Sequence, residues 1–167
     1  TFDTGAARAQ GEVMGAEAAA YGVDVLLTPG VNIMRNPLCG RNFEYYSEDP
    51  LLTGVLAAEL VKGVQSKGVG TSLKHFVANN QQTGKKYNDA RMTQRALREI
   101  YLPAFERVVR EAKPWTVMGS YNKIAGEYTQ TSQELMQRLL RDEWGYDGLV
   151  LTDWTVRRPT ADLLKAR

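Results

Sequence analysis

Side chains able to do chemistry gather in four places in this sequence, each at or just past the end of a short apolar run. Arg35, Asn36, Arg41, Asn42 and Glu44 follow VDVLLT; Lys74, His75, Asn79 and Asn80 close or follow VGTSLK; Tyr121 and Asn122 close or follow TVMGSY; Asp153 and Trp154 close or follow LVLTD. Carboxylate, guanidinium, ammonium, imidazole and amide groups each bind a vicinal diol, and Trp and Tyr offer apolar faces to the C–H side of a sugar ring. An aspartate with cations nearby stays ionised, which suits a nucleophile or a stabiliser of oxocarbenium character. The set is glycosidase-like.

Such groups converge only if the chain brings the ends of its strands to one edge, and the order of elements does this. Thr4 is read as the cap of an Ala-rich helix with Ala9, Val13, Ala16 and Ala20 on its packed face, and Gly22 takes the left-handed position at its end. Residues 23–28 read as a short buried strand. Asp49 and Pro50 cap and open a second helix with the stripe Leu52, Leu56, Leu60 and Val64, ended by Gly68, and residues 69–74 form the next strand. Leu97, Tyr101, Phe105 and Val109 keep helical spacing around Pro103, which calls for two helices in succession or a kink. Residues 116–121 are the third strand. Thr131 with Glu134 reads as a capping box, Gly145 closes that helix, and residues 149–153 are the fourth strand.

Four apolar strands separated by helices are the pattern of βαβ units around a parallel sheet buried on both faces. A complete eight-stranded barrel needs about 250 residues. The expected fold class is therefore α/β, parallel β/α units of a TIM-type (β/α)8 barrel with about half of the barrel present, in one domain over 1–167. A flavodoxin-like open sheet is the alternative, but it requires a Gly-rich phosphate loop after the first strand, and TPGVNIMRNP is unlike one. The connection over 32–49 is longer than the usual βα loop of about 2 to 6 residues, and long loops in compact domains are often functional.

Composition removes other classes. The chain has 167 residues, 43% hydrophobic and 24% charged, with a formal net charge of +2 and basic residues interleaved with acidic ones. That balance leaves no electrostatic footprint for nucleic acid or an anionic membrane. One cysteine, Cys39, and one histidine, His75, exclude an internal disulfide and a multi-histidine metal site, and no cofactor is called for. No apolar run approaches the roughly 18 to 20 residues that cross a bilayer. The chain opens without Met and stops in charged sequence, so it is read as part of a longer chain. A periplasmic or secreted location is favoured over a cytoplasmic one.

The segments GVDVLLTPGVNIMRNPLCGRNFEYYSEDP, KHFVANN, REIYLPAFE, VMGSYNKIAG and LLRDEWGYDGLVLTDW resemble successive signature blocks of glycoside hydrolase family 3, the β-glucosidase family, in the right order over residues 22–154. The resemblance implies a β/α-barrel catalytic domain whose covalent nucleophile is the Asp of the TDW strand end, Asp153. It also implies that Arg41, Lys74 and His75 bind hydroxyls in the cleavage subsite, that Tyr121 sits beside the nucleophile, and that Trp154 stacks beside the sugar. The reaction so implied is retaining hydrolysis of a terminal β-linked glucose or related sugar from β-glucosides and oligosaccharides. The family's acid/base residue comes from a second domain and its D-G-P-type block lies upstream of Thr1, so neither is expected here. Gln82 stands where many relatives have Glu.

Simpler readings accompany these assignments. Arg41 can pair with Glu44 or Asp49 and brace the long loop, Arg35 and Glu44 read as loop-bracing charges, Tyr121 as a core residue, and Cys39 as a free loop thiol. A β-xylosidase or exo-glucanase shares the same blocks. The N-acetylhexosaminidase branch differs, because it has a KHFPGHG-like stretch where this sequence reads KHFVANNQQ. The rival from another class is a non-catalytic carbohydrate-binding or structural fragment. Half a barrel exposes a sheet edge, so the expected partner is the remainder of a parent chain or a second copy in a homodimer.

Overall fold

The computed structural model describes residues 2–154, Val156 and 160–165. Helix α1 (Thr4–Ala20) is capped by Asp3 rather than Thr4, because the Asp3 carboxylate accepts the N–H groups of Gly5 at 2.7 Å and Ala6 at 3.1 Å. Its packed face also differs from the expected one. Ala7, Gly11, Gly15 and Ala18 are buried, while Val13 is 59% exposed and Ala9, Ala16 and Ala20 face outward. The reason is how closely its partner helix approaches. A Cβ on Gly15 would lie 2.7 Å from the Val64 carbonyl oxygen, and one on Gly63 would lie 2.9 Å from the Glu12 nitrogen. Only the smallest residues fit such a crossing, so size and not hydrophobicity selects the face.

Gly22 closes α1 at φ +70°, as expected. Strand β1 (Val25–Leu26) is shorter than residues 23–28, since only Val25 and Leu26 pair, with Gly70 and Thr71. Pairing resumes past Pro29, which has no N–H to give, where Val31 donates to the Lys74 carbonyl at 2.8 Å. Helix α2 (Pro50–Gln65) follows with Asp49 as its cap, accepting from Leu51 and Leu52, and buries Leu56, Leu60 and Val64 of the predicted stripe, with Leu52 at its first turn only half-buried. Strand β2 (Gly70–Phe76) runs two residues beyond its predicted end. Strand β3 (Asp89–Ala90) leads to α3 (Gln94–Ala96), capped by Thr93. A π-helical stretch, Leu97–Tyr101, then joins α3 to α4 (Pro103–Ala112), with Pro103 in the first turn of α4.

Strand β4 (Thr116–Gly119) stops short of Tyr121 and precedes the hairpin of β5 (Lys123–Ile124) and β6 (Glu127–Tyr128). The predicted capping box is out of frame by one residue. Ser132, not Thr131, accepts the Leu135 N–H at 3.4 Å, and Thr131 donates instead to the Tyr128 carbonyl. The helix that follows, Glu134–Glu143, is π-helical, and Gly145 closes it at φ +71°. Strand β7 (Leu149–Leu151) and α5 (Thr160–Lys165) complete the described chain.

The main sheet has the order β1-β2-β4-β7, every pair parallel. Strands succeed one another in chain order with no reversal, the winding of a barrel and not of a doubly wound open sheet. The fold is thus a partial β/α barrel, as predicted. Its core joins Val31, Leu73, Val117 and Val150 of the sheet region to the helices, and Phe76 packs edge-on against Phe105 at 5.3 Å and Trp144 at 5.8 Å. A second sheet, β3-β5-β6, was not foreseen. Strands of two residues carry no periodicity to read.

Candidate active site

The parallel sheet brings the predicted site residues to one edge, and the ends of β2, β4 and β7 meet there. Asp153 lies just beyond β7 and is 6% exposed. Its Oδ1 accepts the Trp154 N–H at 2.7 Å. Its Oδ2 is buried, has no hydrogen-bond partner among the described residues, and lies 3.8 Å from His75 Nε2. A buried carboxylate oxygen without a donor is costly, and native structures keep such groups where they serve function.

His75 is 1% exposed at the end of β2. The Asn32 side chain clamps its backbone from the neighbouring loop, accepting the His75 N–H at 2.9 Å and donating to the His75 carbonyl at 3.0 Å. This clamp stands where the β2–β4 register shifts and where the Lys74–His75 peptide bond is cis. Burial, then the positive charges of Arg41, Lys74 and Lys85, push the imidazole pKa down to about 2. His75 is therefore a neutral hydrogen-bonding ring at any working pH.

That displacement predicts an acid sensitivity of known sign. The unfolded chain takes up a proton near the ordinary value of 6.5, whereas the native ring does not until about 2, so native stability falls as pH drops through 6.5. Between about pH 7 and about pH 5.5 the loss is about 1 kcal/mol. Urea midpoints at those two pH values measure it, and His75→Gln should flatten the difference. An unchanged slope in the variant would place the titrating group elsewhere.

Arg41 and Lys74 meet on one carboxylate. Lys74 Nζ lies 3.0 Å from Glu44 Oε2, and Arg41 Nε donates to Glu44 Oε1. Burial acts to raise the Glu44 pKa, but the bonds and charges of Arg41 and Lys74 outweigh it and hold it below its ordinary value. Of the two bracing readings of Arg41, the pairing with Glu44 is present, while Asp49 is spent on capping α2. Arg35 also braces, donating to the Tyr101 hydroxyl at 2.9 Å.

Tyr121 donates its hydroxyl hydrogen to the Trp154 carbonyl, which ties the end of β4 to the segment after β7. Trp154 itself is 63% exposed. The Lys85 ammonium stands 4.5 Å over the Tyr121 ring. Lys85, Asn32 and Tyr45 are neighbours of the site that the sequence did not reveal. In GKK and GVN the first two look like an exposed charge and a loop amide, and Tyr45 like one more loop aromatic; only the folded loops place them here, Tyr45 with its hydroxyl 3.5 Å from His75 Nδ1. Cys39 is half-buried and unpaired, and lines a separate polar cleft of about 650 Å³ with Arg35, Asn80 and Arg91.

The family model described as "Glycosyl hydrolase family 3 N terminal domain" matches residues 1–163. Among curated relatives, an exo-alpha-(1->6)-L-arabinopyranosidase of Bifidobacterium longum is 59% identical over 86% of this chain and 19% of its own length. A thermostable beta-glucosidase B of Acetivibrio thermocellus is 52% identical over the same shares. Among solved structures, beta-glucosidase 3B from Thermotoga neapolitana in complex with glucose superposes with a TM-score of 0.97 at 52% identity, covering 99% of this chain and 23% of that one. The chain thus spans about a fifth of the length of the curated relatives it matches.

Proposed function

The chain belongs to glycosyl hydrolase family 3, and on that premise we propose that it forms the nucleophile-bearing part of a retaining glycosidase acting on terminal β-linked glucose or a related sugar. The observation that carries the reading is the buried Oδ2 of Asp153, which has no donor among the described residues and faces the edge of His75. In this reading Asp153 attacks the anomeric carbon, the aglycone leaves with a proton from a general acid, and a glycosyl ester forms on Oδ2. Water then hydrolyses the ester, with the former acid acting as base. His75, Lys74 and Arg41 hold hydroxyls that do not react, Tyr121 fixes the segment carrying Asp153 and Trp154, and the Trp154 indole covers the C–H face of the sugar.

Glu44 is not the general acid in this reading. Two cations keep it ionised, whereas an acid catalyst must be protonated near neutral pH. The proton donor comes from a carboxyl outside this sequence.

A second sugar has a specific observation behind it, the 59% identity to an arabinopyranosidase. An α-L-arabinopyranoside has the ring stereochemistry of a β-D-galactoside without the exocyclic carbon. It therefore presents an equatorial leaving group to the same nucleophile and differs at one hydroxyl and one CH₂OH. A panel of p-nitrophenyl glycosides assayed with the intact polypeptide that carries this sequence ranks the two sugars. The expected result is the highest kcat/KM on the β-glucoside. A higher value on the α-L-arabinopyranoside moves the assignment to that sugar, and no turnover of any glycoside removes the enzymatic reading.

A further inference from the structure

Resting on the reading of Asp153 as nucleophile and His75 as a sugar ligand, we propose that Tyr45 is a positioning residue that sets the tautomer of His75. Its hydroxyl hydrogen goes to Nδ1, so that the imidazole presents Nε2–H to Asp153 and to the sugar.

The argument starts with how little freedom Tyr45 has. It follows the short turn Asn42–Glu44 and is 6% exposed, and its ring lies so close to Gly30 that a Cβ there would stand 2.9 Å from Tyr45 Cε1. Its hydroxyl has three polar neighbours: Asn79 Nδ2 at 3.1 Å, the Asn79 carbonyl at 3.4 Å and His75 Nδ1 at 3.5 Å. The Asn79 amide is oriented by Gln82, whose Nε2 donates to Asn79 Oδ1 at 3.5 Å. Asn79 Nδ2 can therefore only donate to Tyr45, whose oxygen accepts there and has one hydrogen left to place.

The other edge of the imidazole decides where that hydrogen goes. Nε2 lies 3.8 Å from Asp153 Oδ2, which accepts from no other group among the described residues. A lone pair on Nε2 would face a carboxylate oxygen and be repelled, whereas an N–H there is attracted. With the proton on Nε2, Nδ1 carries a lone pair in a buried place and needs a donor; among the described residues the Tyr45 hydroxyl is the one within reach, and its hydrogen serves Nδ1 rather than the Asn79 carbonyl at 3.4 Å. The Asn32 clamp keeps the His75 backbone from turning to satisfy Nδ1 in another way. Burial also holds the Tyr45 hydroxyl well above its usual range and the imidazole neutral, so the pattern does not change with pH near neutrality. His75 then acts as a hydrogen-bond donor toward a sugar hydroxyl oxygen, not as a base.

The test is the ¹⁵N spectrum of the intact polypeptide with ¹⁵N-labelled histidine, the His75 signals being assigned by their loss in His75→Gln. The expected wild-type result at neutral pH is a protonated Nε2 and an unprotonated Nδ1. Tyr45→Phe keeps the ring and removes the hydroxyl, and should give a mixture of tautomers and roughly a tenfold lower kcat/KM on the glycoside. A wild-type His75 protonated at Nδ1, or a Tyr45→Phe spectrum identical to wild type, overturns the proposal. The wild-type spectrum decides even if the variant fails to fold. Failure of a 2-fluoro glycoside to label Asp153 would instead overturn the functional reading, and it leaves the tautomer result standing.

Discussion

Asp153→Ala is expected to lower turnover of an aryl β-glucoside on the order of 10⁴-fold or more while leaving thermal stability equal to or above that of the wild type. The loss follows from the proposed chemistry, because without the carboxylate no glycosyl ester forms and only binding and the remaining hydrogen bonds assist direct attack by water. The stability half of the expectation comes from the structure. Asp153 Oδ2 is buried and accepts no hydrogen bond among the described residues, with His75 Nε2 no nearer than 3.8 Å, so the native state bears a desolvation cost there that is only partly offset. Removing the carboxylate removes that cost, the trade expected where a site is built for a reacting group and not for the resting protein. Melting curves and kinetics on the intact polypeptide measure the two halves separately. A 2-fluoro glycoside with a good leaving group adds the direct test, since the fluorine slows hydrolysis of the ester and lets it accumulate. Mass spectrometry of the peptide containing Asp153 should show the adduct, and an adduct on another residue removes Asp153 from the role. A variant that loses both activity and several degrees of stability would make Asp153 a structural cap.

The opposite pattern is expected at Gly63. Gly63→Ala should destabilise the fold by about 3 kcal/mol, although alanine is the better helix former by about 1 kcal/mol. The added methyl would meet backbone on α1, with the Glu12 nitrogen and the Gly11 Cα each at 2.9 Å and the Arg8 carbonyl oxygen nearer still. Backbone cannot rotate aside as a side chain does, so α1 must lift from α2, and contacts along Ala7, Gly11, Gly15 and Ala18 loosen together. Val13→Ala on the exposed side of α1 is the control and should change stability by no more than about 0.5 kcal/mol. Urea unfolding of the three proteins decides the matter. A Gly63→Ala protein more stable than wild type would mean that helix propensity outweighs the crossing and that the two helices are not in close contact. Because the crossing lies on the helical layer and not at the strand ends, the folded fraction of Gly63→Ala should keep its kcat.

Much of this architecture is written in local sequence, because the physics behind it is local. Asp49 before Pro50, and glycine at positions 22, 68 and 145, end or begin helices through bonds and dihedral angles within a few residues, and each acts where the sequence places it. The four apolar runs become the four parallel strands in chain order, but only β2 and β4 in the middle are buried as expected, while β1 is half-buried and Leu149 of β7 is exposed at the outer strands of the sheet. Parallel order then carries Lys74, His75, Tyr121 and Asp153 to one edge whatever the details. The resemblance of the GRNFE, KHF, SYN and TDW blocks to one family implies the roles proposed for them, and the match to that family over residues 1–163 bears out the family and the barrel.

What the sequence could not decide depends on groups far apart in the chain or on differences of a single residue. The packed face of α1 was misread because a hydrophobic count favours Val13, while the approach of α2 admits only small residues, and that approach is a property of two helices together. The Thr131 reading missed by one residue, since neighbouring hydroxyls compete for the same N–H groups and the fold gives Thr131 to Tyr128 and Ser132 to Leu135. The sharing of Glu44 between Arg41 and Lys74, the Asn32 clamp on His75 and the 3.8 Å gap between His75 and Asp153 are all distances between strand ends and loops. Sequence determines which groups reach that edge. Only tertiary packing determines which of them are buried together: burial, by stripping water from the His75 imidazole, holds it neutral, and the cations Arg41 and Lys74, brought onto Glu44, hold that carboxyl below its ordinary value against the effect of burial.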